Sequence, residues 1–199
     1  MSGSVSEDPI ARFQALFAEA KRIPADKLPE PTAFSLGTVD ANGRPSVRIV
    51  LLKEVDERGF VFYTNYESRK ARQIEENPAA ALCFYWPWLD EQVRAEGPLE
   101  KVPAPESDQY FATRPRGSQI GAWASAQSEP LANRSDLEAK YFDVERQYEG
   151  VVVPRPPHWG GYRLRPDRIE FWKAGQYRLH DRVVYTRTES GWDIQSLYP

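Results

Sequence analysis

The chain has 199 residues, 41% of them hydrophobic and 28% charged, which is the composition of a globular protein with its own core. A net charge of −3 and a pI of about 5.6 carry no basic signature for nucleic acid, and the single cysteine, Cys83, permits neither an internal disulfide nor a multi-cysteine metal site. No apolar run approaches the length of a bilayer span, and the opening MSGSVSEDP lacks a basic segment followed by an apolar stretch; the expectation is a cytoplasmic enzyme or binding protein with no membrane and no nucleic-acid partner.

Residues 1–7 are small and polar and read as a disordered tail, with 8–199 as one domain. Asp8-Pro9 opens a helix, Asp at the N-cap and Pro at the first helical position, and Phe13, Leu16, Phe17 and Ala20 repeat at helical spacing through Arg22. A Pro-rich segment, 24–31, breaks it. From Ala33 the period changes to strands, predicted over 33–39, 46–55 and 60–64, with turns at 40–43 and 56–59; Asn42-Gly43 between apolar runs is a strong hairpin signal. A short helix over 68–76 is capped by Ser68 or Asn65 and stopped by Asn77-Pro78. Strands follow at 79–86 and 92–98, then helices at 107–113 and 117–124 around Pro115. Ser135-Asp-Leu-Glu138 has the form of a capping box, and the helix it opens carries an apolar face of Leu137, Tyr141, Val144 and Tyr148. Strands at 161–164, 169–173, 182–187 and 193–195 close the chain. Hairpin-connected strands with outlying helices predict a mainly β fold with peripheral helices, a closed or nearly closed antiparallel barrel. No Gly-rich turn joins a strand to a helix as a Rossmann or P-loop site would need.

Arginine outnumbers lysine 19 to 7, which suits an anionic ligand but equally follows from base composition. Four clusters concentrate the chemistry. Arg48 and Lys53 bracket an apolar run. In an unbroken strand they face opposite sides, so two different anions, or simply a buried strand with charged ends, would explain them. Tyr63-Thr-Asn65 leads into Ser68-Arg69-Lys70, where two cations oppose the helix dipole in a first turn; an anion there supplies the reason, and a solvated pair is the alternative. Tyr110, Arg114 and Ser118 combine phenol, guanidinium and hydroxyl into a plausible phosphate grip or a plain polar surface. The run Glu170-Phe-Trp172 is followed by Arg178-Leu-His180-Asp-Arg182, which holds one of only two histidines amid dense charge. His158 stands alone in a Pro/Trp loop and reads as structural. No nucleophile–base triad and no metal-ligand spacing is visible.

These motifs, in this order from about residue 8 to Pro199, resemble the pyridoxine/pyridoxamine 5′-phosphate oxidases: Arg48 to Lys53, Tyr63-Thr-Asn, Ser68-Arg-Lys-Ala, Arg114-Pro, Ser118-Gln-Ile-Gly-Ala-Trp123, Gln127-Ser128, Trp159-Gly-Gly, and above all Glu170-Phe-Trp172 with Arg178-Leu-His-Asp-Arg182. The resemblance implies an FMN-binding split β-barrel, a homodimer with FMN at the subunit interface. It also implies oxidation of pyridoxine or pyridoxamine 5′-phosphate to pyridoxal 5′-phosphate, by hydride transfer from substrate C4′ to flavin N5, with O2 reduced to hydrogen peroxide. Carried onto this sequence, it assigns FMN binding to Arg48, Ile49, Val50, Leu51, Leu52, Lys53, Tyr63, Thr64, Arg69, Lys70, Gln92, Gln127, Ser128, Trp172 and Arg182. It assigns the substrate to Lys53, Tyr110, Arg114, Ser118, Arg178, Leu179 and His180, with Arg178 and His180 over the reacting ring. The short stretch before Asp8 and Lys173 after Trp172 depart from the common pattern. A split-barrel flavin reductase with another substrate and a non-catalytic FMN or pyridoxal phosphate carrier are the competing readings.

Overall fold

A computed structural model describes residues 8–199; the tail expected over 1–7 lies outside them. Helix α1 (Pro9–Ala20) starts where Asp8 Oδ1 accepts from the Ile10 N–H at 2.9 Å, with Pro9 at its first position. It is followed by β1 (Ala33–Val39), β2 (Pro45–Leu51), β3 (Glu54–Asp56), β4 (Gly59–Asn65), α2 (Arg69–Glu76), β5 (Ala79–Trp86) and β6 (Glu91–Lys101). Three helices come next: α3 (Ala104–Thr113), α4 (Arg116–Ala124) and α5 (Arg134–Gln147). The strands β7 (Trp159–Leu164), β8 (Arg168–Lys173), β9 (Asp181–Thr188) and β10 (Gly191–Ser196) finish the chain.

All strand pairs are antiparallel, and the circuit β1–β2/β3–β4–β7–β6–β5–β1 returns on itself, giving the barrel that the patterning predicts. The barrel splits at β6. Its first half, 91–96, pairs with β8, and its end, 99–101, pairs with β7. Between them the chain crosses, with Arg165 N–H donating to Pro98 O and Asp167 N–H to Glu96 O. β8, β9 and β10 extend from the split as a separate wing.

The barrel interior is aromatic. Phe13 of α1 is fully buried and plugs one end, edge-on to Phe60 (4.9 Å) and 5.0 Å from Phe84, with Phe34, Phe62 and Trp86 around it. Burying a side chain of this size contributes about 1.5–3 kcal/mol. A second, smaller cluster of Phe111, Ile120, Val153 and Trp159 lies under α3 and α4. Tyr141 and Val144 of α5 and its C-cap Tyr148 pack against it, three of the four residues on the apolar face read from the sequence.

Helix α3 starts three residues before the expected 107, β7 two residues before the expected 161, and α1 ends two residues short of Arg22; three further differences have a clear physical cause. The predicted strand 46–55 is broken after Leu51: Leu52 N–H donates to Thr32 O and Lys53 N–H to Val61 O, so the run bends where it passes from pairing with β1 to pairing with β4. The α5 N-cap is Asn133, in extended conformation, and Ser135 falls inside the first turn; Glu138 pairs with Arg134 at 3.1 Å instead of closing a capping box. β6 runs on to Lys101, three residues past the predicted end, because β7 supplies a second partner beyond the split.

Candidate active site

The bend at 52–53 resolves the parity problem posed by Arg48 and Lys53. Leu52 turns into the core, and Arg48 and Lys53 both line one open cavity of about 1090 Å³. The cavity is walled by β2, β4, the N-terminus of α2, the α3–α4 elbow and the loop after α4. Among the described residues five cations line it, Arg48, Lys53, Arg69, Lys70 and Arg114, and no Asp or Glu does.

The cation-rich floor is built from the α2 start. Ser68, buried and at the N-cap, accepts from the Ala71 N–H, which puts Arg69 and Lys70 in the first turn, where backbone N–H groups are also free. Lys70 Nζ donates to Gln127 Oε1 (2.8 Å), Thr64 Oγ1 (2.9 Å) and Ser68 Oγ (3.2 Å). Burial, and then the neighbouring Arg48 charge, push its ammonium down to about 8. Arg48 donates to Thr38 Oγ1 (2.6 Å) and Leu36 O (3.2 Å), and burial together with Arg69 disfavours its charge. None of these cations has a carboxylate partner in the cavity, so their mutual repulsion awaits an anion. Ser128, in the loop beside Gln127, has a left-handed backbone (φ 76°).

At the other end Tyr63, Tyr110 and Trp159 stand nearly parallel, with Tyr63–Tyr110 centroids 4.1 Å apart and Tyr63–Trp159 5.3 Å. Gly161 makes room for Tyr63 across the β4–β7 pair: a Cβ there would lie 2.9 Å from the ring. Arg114 stacks over Trp159 at 4.6 Å, and its buried Nη1 has no hydrogen-bond partner among the described residues. Burial pushes the Tyr63 phenol up to about 12, with Glu54 and Glu106 adding to it; it also raises Tyr110 and lowers Arg114. Ser118, in the first turn of α4, completes this corner. An unpaired buried guanidinium nitrogen costs free energy unless an acceptor arrives, and a phosphate beside a phenol and a hydroxyl fits it.

Of the first group of site residues, Arg48, Ile49, Val50, Leu51, Lys53, Tyr63, Thr64, Arg69, Lys70, Gln127 and Ser128 line this cavity together with Tyr110, Arg114 and Ser118; Leu52 does not. Gln92, Trp172, Arg178, Leu179, His180 and Arg182 lie apart from it, Gln92 on β6 and the others on the wing. Gln92, Trp172 and Arg182 form one cross-strand row over β6, β8 and β9. The indole of Trp172 lies 4.6 Å from the His180 ring, in the loop 174–180. That loop is tight: a Cβ on Gly175 would sit 1.8 Å from Leu179 O, and Tyr177 and Arg178 are both left-handed (φ 56° and 65°). The Gly175 N–H donates to His180 Nδ1 at 3.2 Å, which places the ring proton on Nε2. Tyr177 is 91% and Leu179 69% exposed. The other histidine, His158, makes a 3.0 Å contact from Nε2 to Ala122 O, a structural tie.

Sequence reasoning left Trp159 without a site role, although Trp159-Gly-Gly was singled out as a motif; an aromatic followed by two glycines at a strand start was the available signal. Among the described residues no group of three or more His, Cys, Asp or Glu side chains is placed to hold a metal, and no helix is long and apolar enough to cross a membrane.

A split barrel with a cation-lined cavity, free of carboxylates among the described residues and walled by stacked aromatics, has the character of a site for flat, anionic ligands. Residues 25–148 match the family described as pyridoxamine 5′-phosphate oxidase, and 159–199 match the pyridoxine 5′-phosphate oxidase C-terminal dimerisation region. The pyridoxine/pyridoxamine 5′-phosphate oxidase of Myxococcus xanthus (strain DK1622) is 57% identical over 195 residues, 98% of this chain and 93% of its own length. That of Rubrobacter xylanophilus is 57% identical over 192 residues, 96% and 87% of the two chains. Among solved structures, PhzG from Burkholderia lata 383, in complex with tetrahydrophenazine-1-carboxylic acid, superposes with a TM-score of 0.89 at 32% identity, covering 98% of this chain and 95% of its own. A pyridoxamine 5′-phosphate oxidase-related, FMN binding protein from Nostoc punctiforme shares the fold, with a TM-score of 0.74 at 20% identity. The chain belongs to the pyridoxamine 5′-phosphate oxidase family and is a flavin-dependent oxidoreductase.

Proposed function

We propose that the protein oxidises pyridoxine 5′-phosphate and pyridoxamine 5′-phosphate to pyridoxal 5′-phosphate with FMN as cofactor and O2 as electron acceptor. The observation that carries this is the cavity with two separate anion grips: one at the α2 N-terminus (Arg48, Arg69, Lys70) and one at the α3–α4 elbow, where Arg114 keeps a buried nitrogen unpaired beside Tyr110 and Ser118. Two grips suit two phosphates. Arg69 and Lys70, with Thr64, Gln127 and Ser128, hold the cofactor; Lys53, Tyr110, Arg114 and Ser118 hold the substrate phosphate. Bound FMN supplies a two-electron acceptor that O2 regenerates with release of hydrogen peroxide.

The protein's own contribution is orientation. Phosphate binding at a distance from the reacting carbon offsets the cost of fixing the substrate ring, and stacking at about 3–3.5 Å is the geometry such reactions need. Arg178 covers the ring, excludes water and stabilises negative charge. His180, with Nδ1 engaged by Gly175 N–H, offers Nε2–H as a hydrogen-bond donor rather than a base.

The wing residues meet the cavity if two copies of the chain pair, each lending its Trp172–Arg182 row and its 174–180 loop to the other. Two facts support this homodimer: the matched dimerisation region spans the wing, and the loop presents exposed Tyr177 and Leu179. The test is steady-state turnover of the FMN-loaded protein with pyridoxine 5′-phosphate, following pyridoxal 5′-phosphate and peroxide, against unphosphorylated pyridoxine. A phosphate grip that adds two charge-assisted hydrogen bonds predicts at least about 100-fold discrimination in kcat/KM. Equal turnover of both would remove the elbow from the substrate site.

A further inference from the structure

Glu170 is the most deeply buried carboxylate of the wing, 2% exposed in the middle of β8, and it is ringed by three arginines from three strands. Its two oxygens are divided. Oε2 takes Arg168 of β8 (3.2 Å) and Arg94 of β6 (3.7 Å), both of which also pair with Glu96 (3.1 and 2.7 Å). Oε1 is given, among the described residues, to Arg182 alone, which donates from Nε and Nη2, each at 2.8 Å. The remaining nitrogen of that fork, Nη1, donates to Tyr198 O at 3.1 Å.

The register explains the arrangement. Side chains two apart on a strand share a face, so Glu170 and Trp172 stand on the same side of β8. Arg182 lies directly opposite Trp172 on β9 and reaches back along the diagonal to Glu170. A buried carboxylate costs several kcal/mol to desolvate, and apolar residues of similar volume commonly replace such a cluster without loss of stability. Its use is better sought in geometry: with Nε and Nη2 converging on Glu170 Oε1 and Nη1 held by Tyr198 O, all three nitrogens of Arg182 are engaged, which fixes the plane of the guanidinium.

We propose that Glu170 is a positioning residue for the cofactor site, locking the Arg182 guanidinium beside Trp172 in the orientation that receives FMN. The proposal rests on the placement of Arg182 at the cofactor under Proposed function. Without the carboxylate Arg182 keeps its charge and loses its fixed plane, so cofactor affinity falls while fold and charge of the arginine remain.

The experiment is a double-mutant cycle on flavin-stripped protein, reading the FMN Kd by quenching of flavin fluorescence and the bound-flavin environment by visible circular dichroism. Glu170→Gln should raise the Kd about tenfold, the loss of one charge-assisted interaction, and alter the flavin dichroism. Arg182→Ala should raise it at least as far, and the double variant should bind no more weakly than Arg182→Ala alone. Glu170→Asp, which keeps the charge but withdraws Oε1 by one methylene, gives an intermediate Kd and serves if the glutamine variant does not fold. Unchanged Kd in Glu170→Gln with weakened binding in Arg182→Ala overturns the proposal and leaves the cofactor site standing. Effects that multiply in the double variant, or a lowered Tm with unchanged Kd, make Glu170 merely structural. Unchanged Kd in Arg182→Ala removes Arg182 from the cofactor site and overturns both.

Discussion

Lys70 makes cofactor retention depend on pH in a direction that can be worked out in advance. Burial and the Arg48 charge bring its ammonium from 10.5 down to about 8, with Arg69 the preceding residue in the chain. An anion in the cavity favours the charged form, so binding takes up protons and raises this group again. Affinity is therefore full only well below pH 8 and falls as pH rises through it. If only the ammonium form grips the phosphate, about nine-tenths of the free protein is competent at pH 7 and about one-tenth at pH 9. The FMN Kd should then weaken about tenfold over those two units, or about 1.4 kcal/mol. The phosphate's own second ionisation, near 6, is complete across most of this window and does not mimic the effect. The assay is fluorescence quenching of FMN by the stripped protein at pH 7, 8 and 9 at one ionic strength, because screening alone alters such interactions. Lys70→Met should bind weakly with little pH dependence. A flat affinity in the wild type, or the same slope in Lys70→Met, would refute the role given to Lys70.

Other outcomes follow from the same geometry. Arg114→Leu removes a guanidinium whose Nη1 is buried and unpaired; KM for the phosphorylated substrate should rise about 10- to 100-fold with FMN affinity unchanged, as steady-state kinetics and flavin titration would show. Arg178→Ala should lower kcat far more than flavin content, and undiminished turnover would take Arg178 out of the site. Gly175→Ala forces a Cβ against Leu179 O and should distort the 174–180 loop, cutting turnover while the melting temperature of the barrel changes little. Phe13→Ala opens a cavity in the barrel plug and should cost about 3–5 kcal/mol in denaturant unfolding, with the cofactor grips left in place.

Features fixed by near neighbours in the chain were legible in the sequence. Asp8-Pro9 marked the α1 start and Ser68 or Asn65 the α2 cap, which the structure places at Ser68, since each is decided by a side chain and an N–H two or three residues away. The alternating pattern of β1 gave its bounds. What was not legible depends on partners far along the chain. The bend at Leu52-Lys53 is set by a change of pairing from β1 to β4, and without it Arg48 and Lys53 appeared to serve opposite faces. The fork in β6 depends on β7 and β8, more than 60 residues later, so its last three residues passed unnoticed. The Asn133 cap displaced a plausible capping box because Glu138 found Arg134. In the site, the clusters of unlike cations and hydroxyls were visible as anion grips, but their joining into one cavity was not. Glu170 stood inside a recognised motif, and its division between Arg182 and the Arg94–Arg168 pair is a matter of cross-strand register that one sequence does not display.

The most direct test of the account is to load the protein with FMN, exclude oxygen, add pyridoxine 5′-phosphate and record the flavin spectrum. The account predicts loss of the oxidised flavin absorbance with one pyridoxal 5′-phosphate formed per flavin, and recovery of the spectrum with peroxide release when air is admitted. A flavin that stays bound and oxidised in the presence of saturating pyridoxine and pyridoxamine 5′-phosphates would contradict it.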